Sequence, residues 1–208
     1  MALFITFEGA DATGKTTQVA LLAEAMQAAG LDCVLTREPG GTPTAESIRE
    51  LVLDPAMQVG ERAELMLYLA ARAEHVQKLI KPSLAAGKIV ICDRFMDSTL
   101  AYQGVARGLG VQEVLNVNSF ATGGLLPDIT FLLHVDQAVA EARRQARGQA
   151  VDRLEAEGMA FKERVRQGFL QVQSMYPERI RLIDAQRDVQ AIHAEIMQHI
   201  KLIFPERG

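Results

Sequence analysis

Gly9-Ala10-Asp11-Ala12-Thr13-Gly14-Lys15-Thr16 follows directly on the apolar run Leu3–Phe7 and leads into the helix-forming stretch Thr16–Ala29. A short strand, a glycine-bracketed loop and a helix in that order form a phosphate cradle. The glycines let backbone N–H groups converge on phosphate oxygens, and the helix N-terminus adds partial positive charge. In such a loop Lys15 reaches the β- and γ-phosphates, and the Thr16 hydroxyl ligates Mg²⁺. The motif predicts that this stretch binds a nucleoside triphosphate.

Outward from that loop, strand-like runs recur at Cys33–Thr36, Lys88–Cys92, Ile129–Val135 and Ile180–Ile183. Between them lie segments with helical spacing. Leu65, Leu69, Arg72 and Val76 share one face, and Val139, Ala142 and Ala146 mark another. Strands alternating with helices predict an α/β fold with a mostly parallel sheet and right-handed crossovers. Gly30 and Gly87 close helical segments, and Pro127-Asp128 starts a turn. Ligands of open parallel sheets bind beyond the carboxyl ends of the strands. The phosphate loop, the segment Arg37–Thr42 and Asp93-Arg94 should therefore meet at one edge.

The 208 residues are read as one domain, with 49% apolar and 23% charged residues as in an ordinary globular protein. No apolar run approaches bilayer length, and the N-terminus lacks the basic stretch and cleavage site of a signal peptide. A net charge of −4 argues against nucleic-acid binding. Cys33 and Cys92 sit in strand-like runs without metal spacing, as buried thiols of a cytoplasmic protein would.

Ile89-Val90-Ile91-Cys92-Asp93 places an acid at a strand end, where it helps hold Mg²⁺, with the fork of Arg94 beside it. A salt bridge between those two neighbours is the alternative. Arg37-Glu38-Pro39-Gly40-Gly41-Thr42 is by composition either a loop or a substrate contact. Tyr68 and Arg72, four apart on a helix, can stack on a base and bond its edge. Equally they are a core tyrosine and an arginine paired to Glu64 or Glu74. Ser98, Tyr102 and Gln103 follow Asp93-Arg94 closely enough to line the same cavity. Arg143, Arg144, Arg147 and Arg153 are a solvated cluster or, beside a phosphate loop, an arginine-bearing lid over about 143–153 with Gly148 as its hinge.

Together these segments resemble the thymidylate kinase family, and the match runs in order along nearly the whole chain. Its carriers are Phe7 through Thr17, the Arg-Glu-Pro-Gly-Gly-Thr segment at 37–42, the helix Glu64–Arg72, Asp93-Arg94, Ser98–Gly104 and the arginine-rich lid ending at Asp152-Arg153. The resemblance implies a phosphate-loop nucleoside-monophosphate kinase fold: a central five-stranded parallel sheet flanked by helices, with a lid. It implies transfer of the γ-phosphoryl of ATP to dTMP in a homodimeric enzyme using Mg²⁺.

By the same resemblance Gly9, Ala10, Asp11, Ala12, Thr13, Gly14, Lys15, Thr16 and Thr17 hold ATP, with Arg153 at the end of the lid and Asp184 by the adenine. Arg37 and Arg94 grip the dTMP phosphate, and Asp11 takes the 3′-hydroxyl. Arg72 bonds the thymine edge, Tyr68 stacks on the ring and Pro39 lies near it. Tyr102 crowds the 2′ position, Gln103 reads the base, and Ser98 lines the cavity. Glu8 and Asp93 join Thr16 at the metal. Lys15, Arg94, Arg143 and Arg147 are the expected catalytic cations. Three positions depart from the commonest pattern: Tyr68 replaces phenylalanine, Phe95 replaces tyrosine or histidine, and Ala12 replaces the loop arginine of one branch. The last assigns this chain to the branch whose lid supplies the charge.

Two other readings remain at this level. One is a kinase for a different nucleoside monophosphate. The other is a nucleotide switch, against which stands the lack of an Asp-x-x-Gly after the third strand run.

Overall fold

The structure is a computed structural model that describes residues 2–147 and 152–203. Five strands, β1 (Leu3–Glu8), β2 (Cys33–Arg37), β3 (Ile89–Asp93), β4 (Ile129–His134) and β5 (Ile180–Asp184), form a parallel sheet in the order β2-β3-β1-β4-β5. β1 lies at the centre, buried at every position, because helices cover both faces.

Its alternation sorts the layers. Leu3, Ile5 and Phe7 join Leu22 and Met26 of α1 (Lys15–Ala28) and Ile192, Ile196 and Ile200 of α9 (Val189–Ile203). Phe4 points to the other face, toward Val76, Ile80 and Phe95. On that side lie α2 (Pro43–Leu53), α3 (Glu61–His75), α4 (Lys81–Ala85), α5 (Met96–Thr99), α6 (Val111–Thr122) and α8 (Met159–Met175). A π-helical turn, Val76–Ile80, joins α3 to α4, and a second, Leu100–Ala106, continues α5. α7 (Gln137–Arg147) follows β4. Phe7 and Phe131 meet with ring centroids 5.4 Å apart in the fully buried centre. Truncating either to alanine is worth about 3–5 kcal/mol.

The strand ends carry the function. Four strands run to a charged tip residue, Glu8, Arg37, Asp93 or Asp184, one place beyond the predicted runs. Registers Phe7↔Asp93 and Arg37↔Asp93 bring these tips level. β3 starts at Ile89, not Lys88, whose N–H still bonds Ser83 in the preceding helical turn. β4 stops at His134, one short of Val135.

The helical spacing of Val139, Ala142 and Ala146 holds in α7, but their face is not buried along its length. Val139 packs against the core, but Ala142 and Ala146 are exposed. Small alanines at helical spacing carry too little apolar area to choose which side is buried. Among the described residues no helix is long and apolar enough to cross a membrane.

Candidate active site

Gly9 opens the phosphate loop at φ 137°, and a Cβ there would lie 2.3 Å from the Leu133 carbonyl oxygen. Only glycine lets the loop pass that close to β4. The loop then delivers Lys15 to the first residue of α1, preceded by Gly14 as N-cap. Lys15 folds back, its Nζ donating to the carbonyls of Gly9 (3.0 Å) and Ala10 (2.8 Å). Burial first, and Arg94 second, push its pKa down to about 8.

Thr16 Oγ1 donates to Asp93 Oδ2 at 3.1 Å, tying the loop to the tip of β3. Asp93 Oδ1 is buried without a hydrogen-bond partner. An orphaned carboxylate oxygen beside a hydroxyl is a donor set suited to Mg²⁺, which needs few protein oxygens when it arrives with phosphates and water. No cluster of three or more His, Cys, Asp or Glu among the described residues could hold a metal by itself. The alternative reading, an Asp93–Arg94 salt bridge, is not what forms: Arg94 pairs with Asp11.

Arg94 instead turns away at φ 70°, a left-handed conformation costly for a side chain. Its Nη1 donates to Gly9 O (2.8 Å) and Ser98 Oγ (3.1 Å), and its Nη2 to Asp11 Oδ1 (2.6 Å). Burial pushes the Asp11 carboxyl up, but Arg94 and Lys15 outweigh it and hold it below the usual range. Glu8, expected at the metal, is a correction. Its fully buried carboxylate accepts from Phe95 N (2.8 Å), Ser98 N (3.2 Å) and Ser98 Oγ (2.5 Å). It supports the Arg94 turn from beneath, because the Cβ of this β1 residue points under the sheet edge.

Beyond Arg94 opens a pocket walled by Asp11, Pro39, Tyr68, Arg72, Ser98 and Tyr102, with Gln103 at its floor. Arg72 is 2% exposed and pairs with neither Glu64 nor Glu74. Nε donates to Glu38 (2.7 Å), Nη1 to Thr99 (2.7 Å) and Asn118 (2.5 Å), and Nη2 to the Phe95 carbonyl (2.9 Å). Tyr102 OH donates to Asp11 Oδ2 at 3.3 Å, and Gln103 Nε2 to Glu64 at 2.8 Å. Burial keeps the phenols of Tyr68 and Tyr102 protonated.

A second pocket lies on the far side of the loop, with Ala12, Thr13, Gly14 and Thr17 on one wall and Arg143, Ala185 and Val189 on the other. Arg143 Nη2 bonds the Ala185 carbonyl at 3.0 Å. That places Arg143, expected among the catalytic cations, at the outer pocket instead. Asp184 does not line this pocket; its Oδ1 accepts from Gln186 N at 3.0 Å, in solvent. Between the two pockets runs a polar cleft lined by Lys15, Thr16, Arg37, Arg49, Asp93 and Arg94. It shares Asp11, Glu38, Arg49 and Arg94 with the first pocket, and Ala12, Thr13 and Gly14 with the second.

Arg37 reaches this cleft from β2, half-exposed and paired with Glu46 at 2.8 Å, a contact weak enough to exchange. Arg153, expected on ATP, lies on the opposite side. Its Nη2 is 2.7 Å from Glu64, and its Nε bonds the Val52 carbonyl. The buried charge of Glu64, also met by Arg107, draws it there. Asp152, Leu154 and Glu155 consequently close the first pocket. The Arg147 side chain and the expected hinge Gly148 lie outside the described residues.

Sequence reasoning missed Arg49, which lines both the cleft and the first pocket and bonds Pro39 O at 3.0 Å. Glu38, read as a possible substrate contact, instead supports Arg72, and Glu64, read as a possible partner of Arg72, instead meets Gln103 and Arg153. The signal for Arg49 was faint: one arginine on an amphipathic helix reads as surface until α2 is seen to face the cleft.

A phosphate loop joined through a cationic cleft to a second, base-sized pocket defines the nucleoside-monophosphate kinase class of phosphate-loop folds. A sequence model of the thymidylate kinase family matches residues 7–196. The chain is 44% identical over 208 residues to a thymidylate kinase of Symbiobacterium thermophilum, covering all of this chain and 96% of that one. It is 47% identical over 195 residues to one from Pseudomonas putida, covering 93% and 92%. The crystal structure of thymidylate kinase from Ehrlichia chaffeensis matches with a TM-score of 0.79 at 40% identity, over 96% of this chain and 98% of that one. This chain belongs to the thymidylate kinase family.

Proposed function

We propose that the protein transfers the γ-phosphoryl of ATP to dTMP, giving dTDP and ADP. The observation that carries this is the cleft in which Lys15, Arg37, Arg49 and Arg94 stand between two nucleotide-sized pockets. ATP takes the outer pocket, its base beside Arg143 and Ala185 and its phosphates on the amides of Gly9–Thr17. dTMP takes the inner pocket. Tyr68 stacks on thymine, Arg72 and Gln103 meet its edge beside Pro39, and Asp11 takes the 3′-hydroxyl. Tyr102 crowds the 2′ position, and Ser98 and Arg94 meet the phosphate with Arg37 and Arg49.

The acceptor oxygen needs no strong base, since the second phosphate pKa is about 6. The barrier is the approach of two polyanions, and Lys15 and the arginines oppose it with fixed charge. Thr16 and Asp93 would hold Mg²⁺, which would supply further charge neutralisation on the ATP phosphates. Residues 143–153 act as a lid that brings Arg147 to the cleft and excludes water. The protein works as one domain in the cytoplasm, without nucleic-acid or membrane partners. Its homodimer forms through α3 and α6, which pack together and expose Met66 and Phe120.

The deciding experiment is steady-state phosphorylation with ATP across dTMP, dUMP, UMP, dCMP and dAMP. A preference for dTMP is expected; a preference for another acceptor overturns the base assignment. Rapid ADP release with ATP alone would favour a nucleotide switch.

A further inference from the structure

His75 is completely buried at the end of α3, and the mechanism above gives it no work. Its ring is nevertheless bonded at both nitrogens. Nδ1 lies 2.9 Å from Glu38 Oε1, and Nε2 lies 2.7 Å from Thr36 Oγ1. A carboxylate can only accept, so Nδ1 carries the proton. The other oxygen of Glu38 accepts from Arg72 Nε at 2.7 Å. Glu38 N in turn donates to the Asp93 carbonyl at the tip of β3. One carboxylate thus stands between a histidine and the arginine that forms a wall of the inner pocket.

The loop is wound on the same ring. A Cβ on Gly41, at φ 85°, would lie 2.5 Å from His75 Nε2 and 2.6 Å from Thr36 Oγ1. The Pro-Gly-Gly turn therefore closes over the imidazole, and its glycine is needed for contact with that ring. Arg72 has five N–H groups in one plane. Four are taken by Glu38, Thr99, Asn118 and Phe95. One Nη2 N–H remains, and Glu38 at Nε is one of the four partners that hold the plane.

The structure assigns His75 as a positioning residue for base recognition: through Glu38 it fixes the guanidinium plane of Arg72, and with it the one donor left for the nucleobase. This rests on dTMP occupying the inner pocket. The imidazole never touches a nucleotide. Its effect belongs to acceptor binding and not to ATP.

Two replacements separate the two ring nitrogens. In His75→Asn the amide nitrogen occupies the place of Nδ1 and can still donate to Glu38. In His75→Gln the amide reaches the place of Nε2, where its oxygen can accept from Thr36, and nothing is left to donate to Glu38. The KM for dTMP should rise about tenfold in His75→Gln and less than about threefold in His75→Asn, the loss of one orienting hydrogen bond. The KM for ATP should move in neither. Equal rises in the two variants, or a parallel rise for ATP, overturn the assignment.

The ligand-free protein gives an independent reading. The Arg72 Nε–H signal in a nitrogen-15 NMR spectrum should stay protected from solvent exchange in His75→Asn and lose protection in His75→Gln. Equal protection in both overturns the relay. Protection that follows this pattern in a protein that does not phosphorylate dTMP would instead refute the substrate and leave the relay standing. If His75→Gln does not fold, Thr36→Val removes only the Nε2 partner. It should raise the dTMP KM about threefold with ATP unaffected; an unchanged dTMP KM there overturns the proposal.

Discussion

Arg94 and Asp11 hold each other across the cleft at 2.6 Å, one from the tip of β3 and the other from within the phosphate loop. Each is assigned a different group of the same acceptor, a phosphate for Arg94 and a 3′-hydroxyl for Asp11. Their ion pair keeps both side chains ionised and aimed into the pocket, and an arriving nucleotide exchanges one anion for another on the guanidinium.

The φ of 70° at Arg94 separates its structural cost from its chemical role. Arg94→Ala and Arg94→Gly should both lose turnover by about 10²-fold or more. The glycine variant should unfold at higher denaturant than the alanine variant, by about 1 kcal/mol, since only glycine occupies that conformation freely. Equal stabilities would show that the turn relaxes when the side chain is removed.

Lys15 loses its proton at about 8 in the free protein, and only the ammonium form opposes phosphate charge. ATP affinity measured by calorimetry should fall as pH rises through that value and stay level in Lys15→Arg, whose charge persists. Lys15→Ala should fold normally and turn over slower by orders of magnitude.

Glu8 is pushed up from 4.5 to about 7, by burial first and by the neighbouring Asp97 second. The native state thus keeps a proton that the unfolded chain has released. The stability Glu8 contributes is complete below about 4.5 and is lost as pH climbs through about 7. Between pH 5 and pH 7.5 the wild type should lose roughly 2–3 kcal/mol more unfolding free energy than Glu8→Gln. Denaturant titrations of both proteins at the two pH values check this, and parallel curves would refute it.

Arg143 lies against the Ala185 carbonyl at the outer pocket. Arg143→Ala should raise the KM for ATP several-fold and leave that for dTMP unchanged. A fall in kcat with ATP affinity intact would return Arg143 to the catalytic group.

Much of this site was legible because phosphate chemistry tolerates few local solutions. The loop, its lysine and its threonine are contiguous, so spacing alone orders them. Arg37, Asp93 and Arg94 follow apolar runs, and the rule for parallel sheets carries them to one edge. Glu8 misled differently: the family resemblance implied the metal, while its carboxylate lies under the Arg94 turn, bonded to Phe95 and Ser98. Arg153 misled because an arginine-rich segment looks uniformly destined for phosphate. One buried acid on α3, Glu64, draws it to the other pocket.

The order of apolar runs and the glycine-bracketed loop were enough to determine a parallel α/β sheet with a phosphate site at its carboxyl edge, since both depend on periodicity and steric limits within a few residues. Partnerships between distant side chains were decided only by the tertiary structure: Arg94 with Asp11, Arg153 with Glu64, His75 with Glu38. Ion pairs and hydrogen bonds depend on separations of a few ångströms, and residues scores of positions apart acquire those separations only when the layers pack.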